Sequence, residues 1–248
     1  MKKIRVLWCI SDNFGDKLNP YLIEKISGKK VKWTRKGSLW KKFLVIGSIL
    51  NWCDARSIAW GPGVAYKNDY VHPKAKILAV RGPVSREVAL RSGNSCPDVF
   101  GDPAMLLPEF YFPKKERTFE LGIIPHYVDK DSVELKDERV NIIDVCQPIE
   151  TVVDNLLTCK KIISSSLHGL IIADAYNIPA KWVTFSSKVA GDGTKFIDHF
   201  LSIGVEPYSP LAIGKGLLPV NDLVRLVKPY TIKFDAHRLW QACPFTSF

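Results

Sequence analysis

The sequence predicts an α/β fold in which parallel β-strands alternate with helices along the chain. Short apolar runs rich in β-branched residues recur through the 248 residues, and segments with helical periodicity separate them. The apolar fraction of 46% and the charged fraction of 24% are typical of a globular protein. These fractions exclude the disordered, collagen-like and coiled-coil classes.

The predicted elements follow this alternation. A first helix, 18–27, has Pro20 in its first turn and Gly28 after its end, and a second, 83–92, begins with Pro83. A third helix is indicated by apolar residues spaced i, i+3, i+4 and i+7, namely Ile149, Val152, Val153, Leu156 and Leu157. Strands are predicted at residues 4–10, 43–47, 58–60, 77–80, 121–125, 141–145, 162–165 and 181–185.

A change in composition at residues 108–118 divides the alternating pattern into two blocks. Pro108, Pro113 and the charged run 114–117 lie in this segment. We therefore expect two Rossmann-like βα domains, residues 1–112 and 113–248, that face each other across a cleft. The last segments, 219–228 and 234–242, are expected to be helices that pack back on the first domain.

The six cysteines are widely spaced and show no metal-binding pattern. Four of them lie among apolar residues, so we expect reduced cysteines that pack as small apolar side chains. The apolar run near the N-terminus stops at Ser11, too short for a secretion signal, and no window has the ~18 apolar residues of a membrane span. These features predict a cytoplasmic protein.

The most informative segment, residues 159–176, has the pattern of a buried strand, a serine-rich turn and a helix. The N–H groups at such a helix start, together with serine hydroxyls and the helix dipole, form a site for a phosphate or a carboxylate. His168 would stand at the carboxyl end of a parallel strand, where α/β sheets bind ligands. The alternative is a structural or capping role for this histidine.

Four short motifs follow one another along the chain: NFGDKLN at 13–19, VRGPVSR at 80–86 with GDPA at 101–104, SSSLHG at 164–169, and GDGTKF at 191–196. Each is weak alone, but in this order they resemble the polysaccharide pyruvyl transferase family over most of the chain. The resemblance implies a fold like that of the two-domain GT-B glycosyltransferases. It also implies transfer of pyruvate from phosphoenolpyruvate to a sugar of a bacterial surface polysaccharide, with formation of a cyclic ketal, release of phosphate, and no cofactor or essential metal.

The resemblance also assigns roles to residues. His168 and Arg81 match the family's donor-site histidine and arginine, and we expect His168 to transfer protons. Many relatives carry arginine where this chain has Ser166, and Lys195 is our candidate for the missing cation; the alternative is an exposed lysine at a helix start. The expected donor-binding set is Arg81, Ser165, Ser166, Leu167, His168, Gly169 and Lys195.

Other polar residues are candidates for the acceptor side. Asn13, Gly15 and Asp16 are expected to line the cleft mouth, with a capped Asx turn as the alternative. His126 follows a predicted strand and could assist proton transfer, or be a surface histidine. Asp102 is more typical of an Asp-Pro turn than of a base. Asp198 and His199 are expected to face solvent from a helix.

The formal charge of +10 and the pI near 9.3 predict an anionic partner. Seven lysines and arginines and no acid lie between Lys29 and Lys42, interleaved with Trp33, Leu39 and Trp40. No nucleic-acid-binding motif is present, so we expect either a solvated loop or contact with an anionic membrane surface, which suits a lipid-linked oligosaccharide acceptor.

Two other functions fit the same pattern. A nucleotide-sugar-dependent GT-B-type glycosyltransferase would also place a phosphate under a helix start. A non-catalytic binding protein is the other alternative, because Ser166 departs from the family motif.

Overall fold

The computed structural model describes residues 3–213 and 219–246. In this part of the chain the strands form two sheets of five parallel strands each. The α/β class and the two Rossmann-like units expected from the alternating pattern are therefore consistent with the structure. The boundary at residue 112 falls between the last strand of one sheet and the first of the other, and a division into separate domains stays a prediction.

The first sheet has the spatial order β2-β1-β3-β4-β5. Its strands are β1 (Ile4–Val6), β2 (Val31–Trp33), β3 (Lys42–Leu44), β4 (Ser57–Trp60) and β5 (Lys76–Ala79). The second sheet has the order β10-β9-β8-β6-β7. Its strands are β6 (Leu121–Ile124), β7 (Val140–Ile142), β8 (Ile162–Ser164), β9 (Ala180–Thr184) and β10 (Leu211–Ala212).

Helices connect the strands and cover the sheets. The α-helices are α1 (Phe14–Ser27), α2 (Pro83–Arg91), α3 (Ile149–Leu157), α4 (Leu167–Ala175), α5 (Thr194–Ser202), α6 (Val220–Leu226) and α7 (Ala236–Gln241). Short 3-10 helices occupy Leu50–Trp52, Pro103–Glu109 and Tyr127–Ser132.

The eight strands predicted from sequence all coincide with observed strands, but β2 and β10 were missed. Both lie at sheet edges and are largely exposed, so neither has the apolar run by which a buried strand is detected. Helix α1 begins at Phe14, earlier than predicted, because the Asn13 side chain accepts the N–H of Gly15 and caps the helix.

The C-terminal segment returns to the first sheet. The indole Nε1 of Trp60 donates to the carbonyl of Leu239 at 2.9 Å. The ring of Phe245 packs edge-on against Phe43 and Trp60, with centroids 4.9 and 5.8 Å away. This apolar contact ties the end of the chain to β3 and β4 of the first sheet, whereas α6 lies against β6 of the second.

The six cysteines are all free. Cys53 and Cys159 are buried, as expected from their apolar neighbours in the sequence, and so are Cys96 and Cys243, whereas Cys9 and Cys146, for which the same was expected, are only half-buried. In the ranges 3–213 and 219–246, no helix has the length and apolar character needed to cross a membrane.

A buried ion pair joins the two halves of the structure. The Nε of Arg81, just beyond β5, lies 3.0 Å from Oδ2 of Asp198 in α5, and both side chains are fully buried. The N–H and hydroxyl of Ser85 in α2 also donate to this carboxylate, at 2.9 and 2.6 Å. The prediction that Asp198 and its neighbour His199 face solvent is therefore wrong, because α5 packs Asp198 against α2 and His199 against Asp174 of α4.

Replacing Asp198 should destabilise the protein strongly. Asp198→Ala leaves the buried guanidinium without its counter-charge, so we expect the free energy of unfolding to fall by about 3–5 kcal/mol. Urea unfolding measures the change. Asp222→Ala, which removes the exposed partner of Arg225, should cost less than about 1 kcal/mol. Equal small losses for both variants would contradict the role assigned to this ion pair.

Candidate active site

A cavity of about 300 Å³ lies at the carboxyl ends of β8 and β9. Ser165 follows β8, Ser186 follows β9, and Lys195 lies in the first turn of α5. The stacked rings of Trp182 and Phe196, 4.1 Å apart, form an apolar wall. This is the edge of a parallel sheet at which α/β proteins bind ligands. A cation, hydroxyls and an aromatic wall suit a small anion with an apolar part.

Lys195 stands at this cavity, as the predicted donor-binding cation should. Its Nζ donates to the carbonyl of Ala190 at 2.7 Å. Burial, and then the charge of Arg81, lower the pKa of Lys195 to about 8. Its ammonium is therefore charged at neutral pH but loses its proton in mildly alkaline solution.

The serine-rich turn before α4 is held by hydrogen bonds of its own side chains. The hydroxyl of Ser164 donates to the carbonyl of Ile124 at 2.8 Å and accepts the N–H of Ser166 at 3.0 Å. Ser166 itself is buried at the start of α4 and makes no side-chain cap. The first N–H groups of α4, at Leu167, His168 and Gly169, have no carbonyl partner within the helix. They form the positive end of its dipole.

Asp129 is a buried carboxylate that sequence reasoning missed. It accepts hydrogen bonds from the hydroxyl of Ser165, at 2.7 Å, and from that of Ser186. The hydroxyl of Ser165 also accepts the N–H of His126 at 2.9 Å. Asp129 thus orients two of the serines that line the cavity, Ser165 and Ser186. No sequence signal distinguished it, because it stands in a short acidic stretch that is typical of a solvated turn.

His168 contacts the first turn of α1, the helix that follows β1 of the first sheet. A Cβ atom on Gly15 would lie 2.2 Å from Nδ1 of His168, so only glycine fits there. The ring of Phe14 packs edge-on to the imidazole, with the centroids 6.4 Å apart. Position 15, predicted to line the cleft mouth, therefore lies directly against the predicted catalytic histidine.

Asp102 faces the other ring nitrogen of His168. The distance between its Oδ2 and Nε2 of His168 is 3.8 Å, and both atoms are buried without a hydrogen-bond partner among the described residues. Oδ1 of Asp102 accepts a hydrogen bond from the N–H of Ala104 at 2.9 Å. This bond belongs to the Asp-Pro turn that the sequence favoured for Asp102. The carboxylate therefore caps a turn with one oxygen and faces His168 with the other.

Burial shifts the pKa values of these two groups in opposite directions. It raises the pKa of Asp102 to about 6. It lowers the pKa of His168 to about 3, and the charges of Arg81, Lys195, His199 and His126 lower it further. His168 is therefore a neutral imidazole at pH 7, beside a carboxyl group that releases its proton near pH 6.

The positive charge of Arg81 acts on His168, and the Arg81 side chain is fixed by hydrogen bonds to other residues of the protein. Besides its ion pair with Asp198, its Nη1 donates to the hydroxyl of Ser48 at 2.9 Å and its Nη2 to the carbonyl of Val64 at 2.7 Å. A Cβ on Gly63 would lie 2.2 Å from its guanidinium carbon. Neither Arg81 nor His168 lines the cavity at Lys195.

The remaining acceptor-side candidates have structural partners. Asn13 is the cap of α1, as the alternative interpretation expected. Asp16 accepts the hydroxyl of Ser11, and burial raises its pKa. Burial and then the charge of Lys195 lower the pKa of His126 to about 4, so His126 stands near the cavity. Their contact with an acceptor sugar stays a prediction.

Replacing Asp102 should change how stability depends on pH. Folded Asp102 keeps its proton up to about pH 6, whereas the unfolded group releases it near pH 3.8, so this residue favours the folded state more as the pH falls between these values. His168 acts in the opposite direction. The imidazole binds a proton below about pH 6.5 in the unfolded protein but only below about pH 3 in the folded protein, so this residue destabilises the folded state as the pH falls between these values.

In Asp102→Asn only the contribution of His168 remains. The free energy of unfolding of the Asp102→Asn protein should therefore fall more steeply on acidification from pH 6 to 4 than that of the unmodified protein. The difference in slope should reach at most about 1.4 kcal/mol per pH unit, the value for one proton. Urea unfolding across this range measures it, with Asp222→Asn as the control for loss of an exposed acid. Parallel curves for Asp102→Asn and the unmodified protein would contradict the assignment.

Comparison with known proteins identifies the family. The model of the polysaccharide pyruvyl transferase family matches residues 27–187. An uncharacterized protein of Acanthamoeba polyphaga mimivirus is 32% identical over 221 residues, which cover 83% of this chain and 76% of that protein. The crystal structure of a functionally uncharacterized protein from Klebsiella pneumoniae superposes with a TM-score of 0.47 at 10% identity, over 80% of this chain and 87% of that one. The match over residues 27–187 shows that the chain belongs to the polysaccharide pyruvyl transferase family, which indicates a transferase of pyruvyl groups in polysaccharide synthesis.

Proposed function

We propose that the protein transfers pyruvate from phosphoenolpyruvate to a sugar of a surface-polysaccharide repeat unit, forming a cyclic ketal and releasing phosphate. The observation that carries this proposal is the cavity at the carboxyl ends of β8 and β9, where the ammonium of Lys195 lies near the hydroxyls of Ser165 and Ser186. The N–H groups at the start of α4 lie at the same edge of the sheet. A cation beside hydroxyl and N–H groups suits a ligand that carries both a phosphate and a carboxylate.

The donor is proposed to bind between the cavity at Lys195 and the start of α4. Lys195 supplies a cation in place of the arginine that many relatives carry at the position of Ser166. The hydroxyl of Ser165 and the N–H groups at the start of α4 supply neutral donors. Arg81 is held in place by Asp198. It contributes its positive charge and those guanidinium N–H groups that do not take part in its three hydrogen bonds to the protein.

The chemistry requires two hydroxyl protons of the acceptor to move. One ends on the methylene carbon of the donor, which becomes a methyl group, and the other leaves with the phosphate, while two C–O bonds form at C2. A neutral His168 can accept a hydroxyl proton as a general base and pass it on if the negative charges of bound phosphoenolpyruvate raise the pKa of the imidazole from its value of about 3. Asp102, 3.8 Å away, would stabilise the imidazolium while it exists.

The acceptor is proposed to be a lipid-linked oligosaccharide that approaches from the side of Asn13, Asp16 and His126. We propose a cytoplasmic location for this reaction, since the donor is a cytoplasmic metabolite, and a GT-B-like arrangement of the two sheets around the cleft. No resident cofactor or metal is proposed.

The direct test incubates the purified protein with phosphoenolpyruvate and lipid-linked repeat-unit oligosaccharides. Phosphate release and the mass of a pyruvate ketal on the sugar are the expected results. His168→Ala should lower the rate about 10²–10⁴-fold, as expected for loss of a proton-transfer residue. His237→Ala, at an exposed histidine of α7, is the matched control and should leave the rate unchanged.

Two outcomes would contradict this function. Thermal stabilisation by a nucleoside diphosphate such as UDP, without any response to phosphoenolpyruvate, would favour the nucleotide-sugar glycosyltransferase. A His168→Ala protein that folds and keeps its function in cells would favour a non-catalytic binding role.

The affinity for phosphoenolpyruvate should fall as the pH rises through about 8, where Lys195 loses its proton. Lys195→Arg keeps a positive charge to much higher pH, so its affinity should stay level across this range. Calorimetric titration with phosphoenolpyruvate at several pH values measures both. Lys188→Arg is the control, and an unchanged alkaline decline in Lys195→Arg would remove Lys195 from the donor site.

A further inference from the structure

Each of three neighbouring grooves outside the active site is lined by two of the residues Leu39, Trp40 and Lys41. Their volumes are about 330, 410 and 420 Å³. Among the residues that the structure describes, no aspartate or glutamate lines any of them. We call the grooves and their rims the basic-aromatic surface.

The fold changes which cations belong to this surface. Lys42, part of the cluster seen in the sequence, is buried against Asp54 at 2.5 Å and does not contribute. Arg56, Lys74 and Lys76 join Leu39 and Lys41 around one groove, although they are distant in sequence. Lys3 and Arg5 join Trp40 and Lys41 around another. Cations from three other segments of the chain thus surround one short loop.

The apolar side chains of this loop point outward. Leu39 is 78% exposed, more than any other large apolar side chain in the described part of the chain, and Trp40 is 62% exposed. The guanidinium of Arg5 lies 4.4 Å from the centre of the Trp40 ring and covers one of its faces. Trp33, 39% exposed, donates its indole N–H to the carbonyl of Trp8 at 3.1 Å. The protein therefore holds both rings at the surface in fixed orientations.

We propose that the basic-aromatic surface binds the protein to an anionic phospholipid bilayer. Leu39 and the free edge of Trp40 would enter the interface between headgroups and acyl chains, where indole rings are favoured. The surrounding lysines and arginines would lie at the level of the lipid phosphates, complementing their charge. A nucleic acid fits less well, since Leu39 has no partner there and Arg5 occupies a face of Trp40 on which a base would stack.

This inference does not depend on the chemistry of the active site. It requires only a charged, apolar-tipped surface and a membrane that carries negative charge. Failure of the transferase assay would leave it untouched, and failure of membrane binding would leave the transferase assignment untouched.

Vesicle sedimentation tests the proposal. The protein should sediment with vesicles of phosphatidylcholine and phosphatidylglycerol but not with vesicles of phosphatidylcholine alone, and binding should weaken as salt is added. Arg35→Glu/Lys41→Glu, at two cations that line the grooves, should reduce the affinity at least about tenfold, because two attractive charges become repulsive. Leu39→Ser should reduce it without any change in charge.

The matched control is Lys114→Glu/Lys160→Glu, which changes the net charge equally at exposed lysines outside the three grooves. It should keep most of the affinity for anionic vesicles. Equal losses in the two double variants, or full binding by Leu39→Ser, would overturn the proposal. Tight binding of a nucleic-acid duplex, without binding of the anionic vesicles, would also overturn the proposal.

Discussion

The ion pair between Arg81 and Asp198 is the interaction on which the arrangement of the site depends. It joins a residue next to the first sheet to a helix of the second, and both charges are fully buried. A buried charge is tolerated only when its partners are complete, and here Ser48, Val64 and Ser85 complete the set. The same pairing sets the position of α5, which carries Lys195 one turn before Asp198.

The electrostatics of the site follow from this packing. Burial, and then the charges of Arg81, Lys195 and the neighbouring histidines, keep the imidazole of His168 neutral, and the ammonium of Lys195 supplies a positive charge near it. A neutral base next to a positive field is the combination that an anionic donor and a hydroxyl acceptor both require. The unpartnered carboxyl oxygen of Asp102 offsets part of the positive potential at the one atom where a proton would arrive.

The sequence was informative where local pattern and chemistry coincide. Buried strands have continuous apolar runs, and the strand-turn-helix pattern around His168 predicted its place at the end of β8. The sequence was uninformative where burial depends on packing between distant segments. Nothing near Asp198 or Asp129 in the chain distinguishes them from solvated acids, and Lys42 looks like its exposed neighbours until Asp54 is seen beside it. The close approach of Gly15 to His168 likewise depends on how the two halves meet.

The contacts across the two halves have a consequence for dissecting this protein into fragments. Gly15 and Asp102 of the first half lie against the imidazole of His168 in the second half. Arg81 and Ser85 of the first half donate hydrogen bonds to the carboxylate of Asp198 in the second. The buried polar groups of each half therefore need the other half as their environment. A fragment that carries only one sheet would therefore expose an unpaired charge and an uncovered imidazole. Split-protein reconstitution is possible only if the fragments meet again at these surfaces, and its yield would report directly on how well they fit.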